Sequence, residues 1–140
     1  MPDKNIVLGK VGNIQRCLRR IREVTNLDPQ TLDGLNVQDI FVLNLQRTVQ
    51  STIDLAAHVV SSEGLGLPAN IKEHFLMLQR AGIISEFLTN KMTSMVGFRN
   101  IAIHDYESID PAILKSILKT NLPDLEEFYT SILKRYGFAP

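Results

Sequence analysis

The feature of this sequence that most constrains its fold is the helical spacing of apolar residues near its start. Within residues 5–24, apolar side chains recur at intervals of 4, 3, 4 and 3, at Val7, Val11, Ile14, Leu18 and Ile21. This spacing places them on one face of an α-helix. The segment therefore predicts an amphipathic helix that needs other elements to cover its apolar face.

The rest of the chain repeats this pattern between short breaks. We expect a loop at residues 25–36, then helices at residues 37–62, 71–81, 85–103 and 110–136. Ser85 is a plausible cap for the fourth helix, and Pro123 should kink or split the fifth. No strand alternation is visible. The fold class predicted is all-α, an antiparallel helical bundle of four to five helices.

Size and composition set further bounds. The chain has 140 residues, with 15 Lys plus Arg balanced by 15 Asp plus Glu, so we expect one domain at residues 1–140. A neutral chain that acts on nucleic acid must use a local basic patch. The single cysteine, Cys17, fits a reducing compartment, and no apolar stretch approaches a membrane span of ~20 residues. We therefore expect a cytoplasmic protein with no membrane association.

One charged residue interrupts the apolar face of the fourth helix. That face runs at intervals of 4, 3, 4, 3 and 4 through Leu88, Met92, Met95, Arg99, Ala102 and Tyr106. A buried guanidinium costs several kcal/mol unless it is paired or hydrated. Arg99 should therefore have a partner carboxylate, face a wet cleft or await an anionic ligand.

His104 follows Arg99 by five residues, about 140° around a continuous helix. A working pair needs either a helix that ends or bends near His104, or two copies of the site that face each other. The chemistry that such a pair suggests is RNA cleavage, with His as the proton carrier and Arg on the phosphate. The residues alone leave a second interpretation open: a helix-end His and an Arg paired with a buried acid.

Other charged residues allow two interpretations each. Arg47 and Asp54 form a buried or interfacial ion pair, or lie next to Arg99 and help to position it. Arg16, Arg19 and Arg20 form a solvated helix face, or contact RNA or a protein partner. His58, His74 and Cys17 lack metal-ligand spacing, so no metal site is expected.

The segment around Arg99 resembles a known family motif. Arg99-Asn100, three further residues and His104-Asp105-Tyr106 are similar to the signature of the HEPN superfamily, in the extended form found in HepT toxins. The preceding Met-Val-Gly-Phe is also similar to HepT, as are the strings Leu-Asn-Leu-Gln-Arg at residues 43–47 and Ile-Asp-Leu-Ala-Ala-His at residues 53–58. The resemblance covers nearly the whole chain and shows no departure within the motif.

This resemblance implies a function. HepT proteins are homodimeric, metal-independent ribonuclease toxins that need no cofactor. Their antitoxin is an MntA-like nucleotidyltransferase that uses ATP to attach AMP to the motif tyrosine. Carried over, Arg99 and His104 are catalytic, Asn100 and Asp105 support the site, and Tyr106 is the AMPylation acceptor. We further expect the Tyr106 hydroxyl to project from a mobile segment after the helix end.

Two alternatives remain at this point. The chain could be a non-catalytic HEPN binding subunit that docks a nucleotidyltransferase partner or a nucleotide. It could also be a purely structural helical dimer module. Loss of growth on expression favours the toxin, and a neutral Arg99 substitution favours the structural module.

Overall fold

A computed structural model describes residues 1–138 of the chain. Over these residues it contains six α-helices, two 3₁₀ turns and no strand. The helices are α1 (Lys4–Thr25), α2 (Leu35–Ser62), α3 (Ile71–Arg80), α4 (Glu86–His104), α5 (Pro111–Thr120) and α6 (Leu122–Tyr136). The 3₁₀ turns lie at Pro29–Asp33 and Tyr106–Ser108. The all-α fold class is thus confirmed.

Side-chain caps set several of these helix starts. The Asp3 carboxylate accepts the backbone N–H groups of Asn5 and Ile6 in α1, and Ser85 Oγ accepts the backbone N–H of Leu88 at 3.1 Å. Asp110 caps α5, where Pro111 occupies the first helical position. Such caps satisfy donors that have no partner within the helix. The predicted starts at Ser85 and at Asp110-Pro111 are confirmed.

The number of helices differs from the expected four to five. The predicted fifth helix is two helices, because Pro123 lies in the first turn of α6 and cannot donate to the turn before it. The predicted loop at residues 25–36 also contains the 3₁₀ turn, whose Leu32 is fully buried. Helix α2 starts at Leu35, two residues earlier than expected.

The hydrophobic core lies around α2, which packs against α1, α3, α4 and α6. The predicted apolar face of α1 is buried in full, at Val7, Val11, Ile14, Leu18 and Ile21. Phe75 of α3 and Phe128 of α6 meet edge to face, with ring centroids 5.5 Å apart. On α4, Leu88, Met92, Met95 and Ala102 are buried as expected. Within residues 1–138, no helix has the length and apolar character needed to cross a membrane.

Candidate active site

Arg99 is half-buried on the side of α4 that faces α2. Its Nη2 donates to Oε1 of Gln50 at 2.6 Å, and its Nη1 donates to Oδ1 of the adjacent Asn100 at 3.0 Å. Its Nε is buried and has no hydrogen-bond partner among residues 1–138. No carboxylate of this part of the chain forms a salt bridge with it. Of the three environments expected for Arg99, the partner carboxylate is therefore ruled out among residues 1–138.

Gln50 belongs to a chain of polar contacts that continues away from Arg99. Its Nε2 donates to Oδ1 of Asp54 at 2.9 Å, and the other oxygen of Asp54 lies 3.5 Å from Nζ of Lys10 on α1. An ionised carboxylate only accepts hydrogen bonds, so Asp54 must face the amide nitrogen of Gln50. The amide oxygen is then directed at Arg99. Asp54 thus supports Arg99 indirectly, by fixing the orientation of Gln50.

The acceptor that holds Arg99 is neutral, and this determines what the guanidinium can bind. A carboxylate in the place of Gln50 would compensate the positive charge of Arg99. The amide fixes the side chain and leaves the charge available to an anion. The negatively charged Asp54 contacts Gln50 and not Arg99, and it also pairs with Lys10. Such a guanidinium is suited to a phosphate group, which it can contact through two N–H donors.

His104 is the last residue of α4 and is exposed, and its side chain forms no hydrogen bond with any residue from 1 to 138. Helix α4 does end there, as expected, since Asp105 adopts a non-helical φ of −152° and ψ of 57°. His104 itself is still in helical register, so it lies about 140° around the axis from Arg99. Because α4 continues through His104, the end of the helix does not bring His104 onto the face that carries Arg99. The remaining arrangement that was expected is two copies of the site facing each other.

The two residues predicted to support the site make different contacts. Asn100 is exposed, and its side-chain oxygen accepts from Nη1 of Arg99, whereas Gln50 accepts from Nη2. Asp105 acts through its backbone: its N–H bonds to the carbonyl of Ile101 at 2.8 Å, and its carbonyl accepts Ser108 Oγ at 2.9 Å. Asp105 thus ends α4 and starts the turn that carries Tyr106.

Tyr106 begins the 3₁₀ turn after α4 and is half-buried against the core. Its hydroxyl donates to Oδ1 of Asp39 on α2. The expectation that this hydroxyl projects freely is wrong, because Asp39 lies opposite it. Burial, followed by the hydrogen bond and negative charge of Asp39, raises the pKa of Tyr106 from 10.0 to about 12.

The contacts of Arg99 and Tyr106 lie on one face of α2. Asp39 and Gln50 are eleven residues apart, close to three full helical turns, so their side chains leave α2 in nearly the same direction. Since Tyr106 follows Arg99 while Asp39 precedes Gln50, α2 and α4 run antiparallel. Helix α2 therefore positions both the guanidinium and the tyrosine.

The ion pair expected between Arg47 and Asp54 does not form. Asp54 is two turns further along α2 and pairs with Lys10, while Arg47 is exposed. Among the arginines of α1, Arg16 bonds to the Asn13 amide oxygen, Arg20 lies 3.6 Å from Glu23, and Arg19 is exposed. Of these three arginines, Arg20 is therefore paired with an acidic residue and Arg16 with a neutral amide.

The histidines other than His104 have structural contacts. His58 Nε2 accepts the backbone N–H of Asp3 at 3.0 Å, which ties the start of α1 to α2. His74 Nδ1 lies 3.1 Å from the carbonyl of Ile71, within α3. Across the described residues, no three His, Cys, Asp or Glu side chains are grouped to hold a metal ion.

Sequence reasoning missed Gln50, Asp39 and Lys10. Gln50 and Asp39 are polar residues of an amphipathic helix, and such residues ordinarily face solvent. The one available signal was the spacing of four between Gln50 and Asp54, which puts the amide and the carboxylate on one face.

Comparison with known proteins finds a family profile and relatives that all carry the name HepT. The profile of the ribonuclease HepT-like family matches residues 14–132. The mRNA nuclease HepT of Shewanella oneidensis is 34% identical over 124 residues, which are 89% of this chain and 93% of that protein. The tRNA nuclease HepT of Aphanizomenon flos-aquae is 27% identical over 107 residues, which are 76% of this chain and 73% of that protein.

A solved structure extends this similarity to the fold. The tri-AMPylated HEPN toxin of Shewanella oneidensis, in complex with its MNT antitoxin, superposes with a TM-score of 0.88 at 33% identity. The superposition covers 96% of this chain and 99% of that chain. These matches confirm the resemblance that rested on the segment from Arg99 to Tyr106 and on its flanking strings. The chain belongs to the HepT-like ribonuclease family.

Proposed function

We propose that this protein is a metal-independent endoribonuclease toxin in which Arg99 and His104 carry the cleavage of RNA. The observation that carries this proposal is the half-buried guanidinium of Arg99, held by the neutral amide of Gln50 without a carboxylate partner in residues 1–138. Five residues later the same helix presents an exposed histidine. RNA as the substrate implies action in the cytoplasm.

The chemistry follows from these two side chains. An imidazole takes or gives a proton near neutral pH, so His104 removes the proton of the 2′-hydroxyl or protonates the leaving oxygen. Arg99 binds the phosphate and stabilises the extra negative charge of the transition state. Asn100 restrains the guanidinium, and Asp105 ends the helix so that His104 stands at its tip.

We propose a homodimer as the active form. Within one subunit Arg99 faces α2, whereas His104 lies on the exposed side of α4. Two copies related by a two-fold axis can combine the arginine of one subunit with the histidine of its partner. A shared cleft of this kind supplies both groups to one phosphate.

The proposed control of this activity is AMPylation of Tyr106 by a cognate MntA-like nucleotidyltransferase antitoxin that uses ATP. The AMPylated state of the Shewanella oneidensis toxin supports this proposal. The tyrosine of this chain is two residues from His104, so an attached AMP adds bulk and negative charge beside the catalytic histidine. A modified hydroxyl has no proton to donate, and its phosphate would be repelled by Asp39. AMPylation should therefore release Tyr106 from α2 as well as block RNA.

Induced expression in a bacterial host tests this function. The wild type should arrest growth, whereas Arg99→Ala and His104→Ala should be harmless at equal levels of folded protein. Incubation with the cognate nucleotidyltransferase and ATP should add mass in AMP increments to the wild type and not to Tyr106→Phe. A wild type that is harmless and leaves RNA intact would support the non-catalytic binding subunit. AMP increments on Tyr106→Phe would contradict the assignment of the acceptor.

A further inference from the structure

The α1–α2 cavity, about 270 Å³ in volume, is lined by Asn13, Arg16, Cys17, Arg47, Gln50 and Ser51. We propose that it is a second phosphate-binding subsite for the RNA strand. In it, Arg16 and Arg47 hold a phosphate that neighbours the one at Arg99. This inference rests on the proposed ribonuclease function and goes beyond it, because it assigns a path for the strand outside the Arg99–His104 motif.

The charge of the α1–α2 cavity points to an anionic ligand. Its lining contains two guanidinium groups and no carboxylate. Within residues 1–138 the side chain of Arg47 forms no hydrogen bond or salt bridge, and that of Arg16 bonds only to the neutral amide of Asn13. The chain as a whole has no net charge, with 15 basic and 15 acidic residues. Two uncompensated arginines in one concavity are therefore a local basic patch.

Two other arginines of α1 are arranged differently, whereas Arg19 is exposed and does not line the cavity. Nη1 of Arg20 lies 3.6 Å from Oε2 of Glu23, and Arg22 forms a salt bridge with Glu126 of α6. Their charges are offset within the chain, as is common on a solvated helix face. Arg16 and Arg47 thus differ from Arg20 and Arg22, because neither has an acidic partner among residues 1–138.

The α1–α2 cavity is adjacent to the proposed catalytic arginine. Gln50 lines the cavity and also accepts the hydrogen bond of Arg99. Arg47 precedes Gln50 by three residues, so their Cβ atoms are about 5–6 Å apart on one helix face. Arg47 is therefore about one helical turn from the residue that holds Arg99, close enough for an adjacent nucleotide of the same strand. The two sites can therefore bind neighbouring phosphates of one strand.

The size and polarity of the α1–α2 cavity favour a phosphate over an acidic protein surface. Its volume is near the lower end of ligand sites, which suits a phosphate with part of a nucleotide. Its other polar side chains, Asn13 and Ser51, offer hydrogen bonds to phosphate or ribose. An interface with the antitoxin would be a different role, and the experiment below separates the two.

Equilibrium binding of single-stranded RNA tests the subsite, measured in a His104→Ala background so that the RNA stays intact. Arg16→Gln plus Arg47→Gln should weaken binding roughly 10- to 100-fold, the expected effect of losing hydrogen bonds to a charged group. The dependence of binding on salt should fall by about 0.7 in logarithmic slope for each phosphate that the variant no longer binds. Arg80→Gln, which removes the same charge from the exposed end of α3, should change neither quantity.

A length series makes the test specific to a subsite. A dinucleotide has one phosphate, so its binding should be insensitive to the Arg16 and Arg47 substitutions, whereas a longer strand should show the full loss. Equal losses for both lengths, or no loss for either, would overturn the proposal. So would unchanged RNA binding together with a weakened complex with the nucleotidyltransferase. If the parent protein binds no RNA, both the subsite and the proposed function are wrong; unaltered binding by the variants alone contradicts only the subsite.

Discussion

Gln50 of α2 holds Arg99 of α4 through a 2.6 Å hydrogen bond, and the acceptor in that bond is an uncharged amide. The amide is oriented by Asp54, to which its nitrogen donates at 2.9 Å. Arg99 is thus fixed in place while its positive charge remains available to a phosphate. The proposed ribonuclease activity depends on this combination of rigidity and free charge.

Substitution of Gln50 tests that dependence. In Gln50→Glu a carboxylate pairs with Arg99 and competes with the RNA phosphate, so we expect KM for RNA to rise by roughly tenfold or more. Gln50→Met, of similar size, removes the tether and adds no charge, so its KM should rise less. Steady-state cleavage kinetics of the two variants, with thermal unfolding as a check of the fold, provide the measurement. A Glu variant with wild-type KM would show that the neutrality of Gln50 is irrelevant.

The contact between Tyr106 and Asp39 should contribute to stability. Tyr106→Phe and Asp39→Ala each remove this hydrogen bond, so a double-mutant cycle should give a coupling energy of about 0.5–1.5 kcal/mol. Urea unfolding of the wild type, both single variants and the double variant measures it. Strictly additive effects would mean that the two side chains do not interact in solution.

The ionisation of Tyr106 gives a prediction about pH. Burial and Asp39 raise its pKa from 10.0 to about 12, which means that the folded chain favours the protonated hydroxyl. Its contribution to stability is complete below pH 10.0 and is lost as the pH rises toward about 12. An NMR titration that follows the ring-carbon chemical shifts of Tyr106 should give a pKa of about 12.

Asp39→Ala provides the control for that titration. It should lower the pKa of Tyr106 only in part, since burial is the larger cause. The pKa of Tyr136, raised to about 12 by burial and by Glu63, should not change. A Tyr106 pKa near 10.0 in the wild type would contradict the contact with Asp39.

The exposed side of α4 is the surface on which we expect the second subunit. It presents, at helical spacing, Phe87, Asn90, Ser94, Gly97, Ile101 and His104. Phe87 is 60% exposed and Ile101 50%, with small residues between them that permit close approach of another helix. Ile101→Asp should therefore convert a dimer to a monomer in light scattering. Ile113→Asp on α5, where the isoleucine is 51% exposed, should leave the dimer intact. A wild type that is monomeric at micromolar concentration would contradict the dimer.

Local patterns in the sequence predicted most of the helices. Apolar spacing located the buried face of α1, Ser85 marked the start of α4, and Pro123 marked the division between α5 and α6. These features depend on residues close together in the chain. The same kind of reasoning placed the end of α4 within one residue of His104 and limited Arg99 to three environments.

Contacts between distant segments could not be predicted in this way. Gln50 is 49 residues from Arg99, and Asp39 is 67 residues from Tyr106. Their partnership depends on the antiparallel packing of α2 against α4, which spacing within one helix does not specify. For the same reason Lys10, on a neighbouring helix, pairs with Asp54 in place of the expected Arg47.

Cleavage of a defined single-stranded RNA by the purified protein in a chelating buffer tests the central claim most directly. The wild type should cut the RNA at the same rate with and without chelator. Arg99→Ala and His104→Ala should each slow cleavage by roughly 10²-fold or more, the usual contribution of a positioned acid–base group or of a donor to transition-state charge. Wild-type cleavage that stops in chelator, or a His104→Ala variant that cuts at the wild-type rate, would contradict the account.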